Sequence, residues 1–437
     1  MIPVDEHLAA ILRKVRPNRE VELSLARVNG LVTTQDVTSP VDLPRFDNSA
    51  MDGYAVLAEE VRGASPEHPV LMPVQGDIPA GDTAPRMHGT GTVWRIMTGA
   101  PMPQGSDAVV PVEDTDNRPR ETQIRRAPKV GAHIRRAGED LRVGDVIVPA
   151  GTTIGPAQVA VLASAGVTRV RVNGPVRVVV LSTGDELVPV GQPLEPGQIV
   201  DSNGPMLAAA VREAGYYAVH VGHLPDDEKV IKKELDHHLS YADAVITSGG
   251  VSKGAYDAVK AVLSKQGAMT FTEVAMQPGK PQGFGVLGRR KVPVFTLPGN
   301  PVSALVSFEV FVRPALARRA GRRYQAATVS ALVAEGWRSP EGKTQYARVG
   351  VEQDVTGTYA VRPAGGAGSH LVGGLAAAEA LAVVPPEVTE VAVGSEVDLV
   401  PLRPWGEIEA RLAAQRRLAE DEEELRSPGR GRHRFRT

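Results

Sequence analysis

Residues 175 to 320 constrain the fold most, because strand patterns and helix patterns alternate there. VRVVVLST reads as a buried strand, GPMLAAAVREAG as a helix following Asn203 as a candidate cap, and YAVHVGHL as a second strand. DDEKVIKKELDHHLSY is a helix with Asp226 and Asp227 at its positive N-terminal end. DAVITS is a strand running into GGVSKG, and KVPVFTLPG is another strand, followed by PVSALVSFEVFVRPALARR as one helix. Alternation of this kind requires a mostly parallel sheet with helices layered on it. In such sheets ligands sit off the carboxyl ends of the strands, so chemistry is expected in the loops that follow them.

The flanking sequence has a different rhythm. Residues 1–45 begin with the amphipathic helix pattern MIPVDEHLAAILRKV, continue through a short helical piece at 24–28, and reach Pro40 and Pro44, which mark a boundary. Residues 46–139 alternate short β runs with Gly and Pro and read as a small inserted β domain. Residues 140–174 hold a strand and turn, a short helix GPAQVAVLASAG and the strand TRVRV. They are expected to rejoin 1–45 as an N-terminal and linker domain. Residues 321–405 return to β patterning in TVSALVA, QYARVGVEQ, TYAVRPA, ALAVVPP and SEVDLVPL, which predicts a small barrel or sandwich. The tail, 406–437, starts as a helix, carries EDEEE and ends in RSPGRGRHRFRT, a pattern expected to be solvated. At roughly 100–200 residues per domain, a chain of 437 accommodates this division. Aromatic residues are 4% of the chain, so the cores rest on Val, Leu, Ala and Ile.

Charge and composition exclude several functions. A formal net charge of −2 supplies no global field for nucleic acid, so any anion site must be local. With no cysteine there is no disulfide, thiolate metal site or Cys nucleophile. The N-terminus lacks the basic-then-apolar order of a signal peptide. Apolar runs are strand-sized, far short of the ~20 residues of a membrane helix. A cytoplasmic protein with neither nucleic acid nor membrane as partner is expected.

The residues suited to chemistry fall in the predicted loops. In TSGGVSKG at 247–254, Gly249, Gly250 and Gly254 let backbone N–H groups approach an anion, and Ser248 and Ser252 add hydroxyls. GK[ST] is absent, and a tight strand-to-helix turn is the plain alternative. STGDEL at 182–187 places Asp185 and Glu186 at another strand end, while Asp201, Asp226 and Asp257 belong to neighbouring loops. Converging carboxylates repel unless a cation or protons intervene, and Mg²⁺ takes one or two carboxylates plus substrate phosphates. For Asp201 and Asp226 singly, a helix cap is the stronger reading. QPGKP at 277–281 and LPGNPVSA at 297–304 set Lys280, Pro298 and Pro301 on stiff loops and Ser303 in the first turn of a helix, near its positive end, which together suit an oxyanion. Arg348 and Ser369 are candidates of the same kind; from spacing alone they are ordinary surface residues. His220, His223, His237 and His238 lack a zinc-like pattern and read as non-catalytic. In FDNSAMDGY at 46–54, Asp52-Gly53 is expected to form a tight turn before a strand at Tyr54 while presenting a carboxylate.

In order, FDNSAMDGYA, IMTGAP at 96–101, AGED at 137–140, STGDEL, TSGGVSKG with Asp257, PGKP and LPGNPVSA resemble the molybdopterin molybdenumtransferases, the MoeA proteins and the gephyrin E domain. The resemblance spans about residues 1 to 405. It implies a multidomain chain with a central three-layer α/β domain of the molybdopterin-binding type, the inserted β domain and a C-terminal β-barrel-like domain. It also implies an elongated homodimer. The implied reaction converts adenylylated molybdopterin and molybdate into molybdenum cofactor and AMP with Mg²⁺. By matched motif, Asp52, Thr98 and Asp140 fall at functional positions in and beside the inserted domain. Glu186, Asp226 and Asp257 fall at acidic, metal-binding positions, and Gly249, Gly250 and Ser252 in the ligand-binding glycine loop. Lys280, Pro298, Pro301 and Ser303 fall at oxyanion-binding loops, with Arg348 and Ser369 near molybdate. One departure is clear: the family commonly has Lys-Pro-Gly-Lys-Pro, and Gln277 here replaces the first lysine with an uncharged donor. An adenylyltransferase and a non-catalytic molybdopterin-binding scaffold are the alternatives. In a homodimer, Asp52 of one subunit is expected to complete the partner's site.

Overall fold

The computed structural model describes residues 1–249, 258–265, 267–325, 328–354 and 356–426, with side chains of the final helix described to 418. The chain divides into two compact units, Met1–Arg19 with Asn173–Thr437, and Glu20–Val172.

The first unit is built on a six-stranded sheet in the order Tyr217–Leu224, Arg177–Thr183, Ala244–Ser248, Val292–Leu297, Pro281–Leu287, Met269–Glu273. The first four strands are parallel; the last two are antiparallel additions that sequence patterning does not reveal. VRVVVLST has no polar face because both faces of its strand are covered. Val178 and Val180 pack with Leu207, Val211 and Phe311, while Val179 and Leu181 pack with Ile231, Leu235 and Val262. Helices Val4–Lys14 and Asn203–Glu213 and the 301–319 segment lie on one face, Glu228–Leu239 and Ala258–Lys265 on the other, giving three layers. Each such aliphatic side chain, fully buried, stabilises by about 1.5–3 kcal/mol, which makes a rigid frame for the loops. The segment 301–319 is not the single regular helix expected. Pro301–Ser307 passes into a π-helical turn, Phe308–Val312, before Arg313–Arg319. Pro314 has no N–H to donate, and the wider turn precedes it.

The C-terminal strands form a closed barrel rather than a sandwich. Thr344–Gln353, Tyr359–Pro363, Val329–Val333, Glu396–Pro401 and Ala380–Val384 pair in turn, and the last pairs back with the first. Met276–Gln277 adds to the barrel edge, with Gln277 opposite Gln345. That pairing brings the QPGKP segment of the α/β sheet to the barrel. Helix Trp405–Arg426 contributes Ile408 and Leu412 to the barrel core, and Arg411 binds both oxygens of Glu379 at 2.7 Å. The start of the predicted solvated tail is therefore docked; RSPGRGRHRFRT lies outside the described residues beyond Arg426, as do the side chains of EDEEE.

In the second unit, Glu20–Ser24 pairs with Arg169–Asn173 and Val37–Thr38 with Val146–Val148, over a core of Val28, Ile154, Leu162 and Val170. Between these segments a five-stranded sheet runs Ala108–Pro111, Gly53–Val56, Val93–Ile96, Val70–Ile78, Glu121–Ile124, with its own core of Tyr54, Met72, Val93 and Val110. Among the described residues no helix is long and apolar enough to cross a membrane.

Candidate functional site

FDNSAMDGY leads into Gly53–Val56, an interior strand of the five-stranded sheet in the second unit, paired on both sides. A Cβ at Gly53 would sit 2.0 Å from the Val110 carbonyl oxygen, so only glycine fits. Gly53 opens the strand instead of closing an Asp-Gly tight turn; the demand on it is close approach of backbone, not a left-handed φ. Immediately before it, the exposed Asp52 Oδ1 accepts hydrogen bonds from Thr98 N at 2.6 Å and Thr98 Oγ1 at 2.8 Å. Those bonds, the backbone one first, hold the Asp52 carboxyl below the usual carboxylate range. The same stretch meets the other two motifs. Gly99 N donates to Ser49 O and Ser49 N to Ala100 O. Asp47 accepts from Ala137 N at 2.8 Å and from Arg136 Nη1 at 2.6 Å, which lower its pKa in turn. Asp140 follows in AGED, exposed, its N–H bonded to Leu43 O. The structure thus joins Asp52 to Thr98 directly, and ties the segment bearing Asp140 to Asp47.

A second constellation lies at the strand ends of the α/β sheet. Asp226 N donates to Asp185 Oδ1 at 3.0 Å, linking two loops. Glu186 folds against Gly184, where a Cβ would lie 2.5 Å from Glu186 Oε2. Glu186 and Asp226 are exposed at adjacent strand ends. Asp227, not Asp226, caps the next helix, accepting from Lys229 N and Val230 N. Gly249 sits at φ +92°, a conformation that favours glycine, with its N–H bonded to Leu297 O. Gly250, Ser252 and Asp257 lie outside the described residues. Beneath the loops is a buried polar cluster. Asn203 is the first residue of its helix rather than its cap; its amide donates to Ser248 Oγ at 2.7 Å and Gly299 O at 2.6 Å, bracing two loops. Asp201 is 4% exposed and accepts from Gly204 N at 2.9 Å, so it does not join Glu186 and Asp226. Its other oxygen lies 3.5 Å from His220 Nε2, an ion-pair separation without hydrogen-bond alignment. Gly204 makes room for this cluster: a Cβ there would fall 2.2 Å from His220 Nε2 and 2.7 Å from Ser182 Oγ.

Among the described residues no trio of His, Asp and Glu closes around one point. Glu186 and Asp226 are nevertheless hard oxygen donors of the kind that fit Mg²⁺, which fills its shell mainly with phosphate and water.

The third constellation is at the barrel edge. A cavity of about 220 Å³ is lined by Gln277, Trp337, Arg338, Gln345 and Arg348 and by the 363–367 loop; no carboxylate lines it among the described residues. Arg348 is buried, and its guanidinium donates to the carbonyls of Leu371 at 2.6 Å, Gly368 at 3.1 Å and Gly366. It therefore shapes the 366–371 loop. That loop delivers Ser369, whose Oγ accepts from Asn300 Nδ2 at 2.8 Å and whose carbonyl accepts from Val302 N. Ser369 is thus joined to the LPGNPVSA loop that carries Pro298 and Pro301. Ser303 is buried, 5% exposed, in the following short helix. Lys280 Nζ lies 3.1 Å from Glu273 Oε2, so its charge is partly neutralised. A larger cavity, about 580 Å³, is mostly apolar, lined by residues such as Leu8, Val310 and Val400, and contains none of the candidate residues.

Family models described as MoeA N-terminal region (domain I and II), probable molybdopterin binding domain, and MoeA C-terminal region (domain IV) match residues 2–166, 179–318 and 330–402. Molybdopterin molybdenumtransferase 2 of Mycobacterium tuberculosis is 43% identical over 410 residues, covering 91% of this chain and 99% of that protein. The molybdopterin molybdenumtransferase of Haemophilus influenzae is 35% identical over 405 residues, covering 92% and 98%. The solved structure of the molybdopterin biosynthesis MoeA protein from Pyrococcus horikosii matches with a TM-score of 0.77 at 31% identity, covering 93% of this chain and all of that one.

Proposed function

The chain belongs to the MoeA family of molybdopterin molybdenumtransferases, and from that premise we propose that it transfers molybdenum from molybdate to adenylylated molybdopterin, forming molybdenum cofactor and releasing AMP. The observation that carries the reading is the arginine-lined cavity beside the Ser369–Asn300 contact, which no carboxylate lines among the described residues. Molybdate is a tetrahedral dianion and needs cationic, hydroxyl and N–H donors. The exposed Glu186 and Asp226 are in a different loop set and would repel it. They suit the adenylyl phosphoanhydride, held through a cation.

In a homodimer, Asp52, Thr98 and Asp140 act on the partner's crevice. Glu186, Asp226 and Asp257 are the residues that would hold Mg²⁺. When bound, that ion neutralises charge on the phosphates and on the leaving AMP. The glycine-rich sequence bearing Gly249, Gly250 and Ser252 receives phosphate. Lys280, Pro298, Pro301, Ser303, Arg348 and Ser369 shape the oxyanion site, Arg348 by fixing the loop that bears Ser369. The reaction takes place in the cytoplasm.

Two substrate sets separate this reading from its rivals. Adenylylated molybdopterin with molybdate and Mg²⁺ is expected to give AMP and molybdenum cofactor; ATP with unmodified molybdopterin is expected to give no adenylylated pterin. Product from the second set alone would identify an adenylyltransferase, and silence in both would leave a binding scaffold.

A further inference from the structure

We propose that Arg338 carries the positive charge that recognises the tetrahedral oxyanion in the barrel-edge cavity, replacing the charge that Gln277 lacks. The inference rests on the assignment of molybdate to that cavity. Two charged side chains line it, Arg338 and Arg348. Arg348 is buried and commits three hydrogen bonds to carbonyl oxygens, so much of its donor set shapes the loop. Lys280 is not in the lining and is paired with Glu273 at 3.1 Å. Gln277 contributes an amide without charge.

Arg338 differs from all of these. It is exposed, and among the described residues its guanidinium takes part in no hydrogen bond or ion pair. The backbone that carries it is nevertheless fixed. Trp337–Arg338 pairs antiparallel with Glu390–Val391, and Trp337 Nε1 donates to Gln345 Oε1 at 2.9 Å. Gln345 in turn stands opposite Gln277 in the strand register, so the cation is attached beside the position where a charge is missing. A guanidinium presents a planar fork that binds two oxygens of one anion at once, where an ammonium offers a point charge. The uncommitted donors therefore match an oxyanion with two accessible oxygens, and among the described residues no carboxylate lines the cavity.

Calorimetric titration of the full-length protein with sodium molybdate tests this, alongside turnover at varied molybdate and varied adenylylated molybdopterin. Arg338→Gln is expected to weaken molybdate binding about tenfold or more, the loss of one charge-assisted bond. Half-saturating adenylylated molybdopterin and the thermal midpoint should stay unchanged, because among the described residues the Arg338 guanidinium makes no hydrogen bond or ion pair. Adding Gln277→Lys to Arg338→Gln is expected to recover most of the lost affinity. Unchanged molybdate affinity in Arg338→Gln, equal weakening of both substrates, or no recovery in the double variant overturns the proposal. A wild-type protein that takes up no molybdate refutes instead the underlying assignment of the cavity.

Discussion

Asp52 receives two donors from one residue 46 positions away, both directed at the same oxygen. Its carboxyl is therefore charged until the pH falls through a pKa below the ordinary carboxylate value of ~3.9. Titration followed by carboxyl carbon NMR should show that depression in the wild type. Thr98→Val should raise the Asp52 pKa only part of the way, because the Thr98 N–H remains; an ordinary or raised wild-type value contradicts the geometry. Gly204 offers a second test. Gly204→Ala drives a methyl into His220, Asp201 and Ser182 and is expected to destabilise the first unit by about 1–3 kcal/mol, read as a lower urea midpoint. Neither glycine's purpose was legible in the sequence. Asp-Gly is a common turn signal, but Gly53 answers to a carbonyl on another strand, and Gly204 to a histidine read as non-catalytic.

The first helix, Val4–Lys14, buries His7 edge-on against Phe311, with ring centroids 4.9 Å apart. Burial lowers the His7 pKa to about 4. Between about 4 and the ordinary 6.5 the unfolded chain binds a proton that the folded chain does not, so stability rises with pH across that window. The contribution is complete above the ordinary value and is lost as pH falls toward the folded one, by roughly 3 kcal/mol at most. His7→Leu should shrink the difference between unfolding midpoints measured at pH 5 and pH 8; an unchanged difference would show that His7 is not the group responsible. At this scale the parallel strands were legible because helices on both faces demand continuous apolar runs. The hairpin Met269–Glu273 and Pro281–Leu287 was hidden by its own glycines. Cβ atoms at Gly283 and Gly285 would lie 2.8 Å from Phe271 Cε1 and 2.4 Å from Met269 Sδ, so packing required residues that weaken a strand signal. The docking of Trp405–Arg426 leaves little trace in the sequence for a related reason: Ile408 and Leu412 are a sparse apolar pair in a charged helix.

For the whole molecule, the ordered motifs made the family legible; the family models match residues 2–166, 179–318 and 330–402, and a relative shows it over 91% of the chain. What sequence order does not convey is which motifs meet. FDNSAMDGY, IMTGAP and AGED converge in one unit, while STGDEL, QPGKP and LPGNPVSA are arranged in the other. If one subunit's Asp52 completes its partner's crevice, Asp52→Ala and Asp257→Ala are each inactive alone, and mixed dimers recover activity at the one intact site. Mixed dimers without activity would refute the shared site. The most direct test of the molybdenum-inserting role is a single turnover. The protein is loaded with adenylylated molybdopterin and Mg²⁺, and AMP is measured before and after molybdate is added. Stoichiometric AMP release that waits for molybdate is the predicted result; AMP that never appears, or appears equally without molybdate, would contradict it.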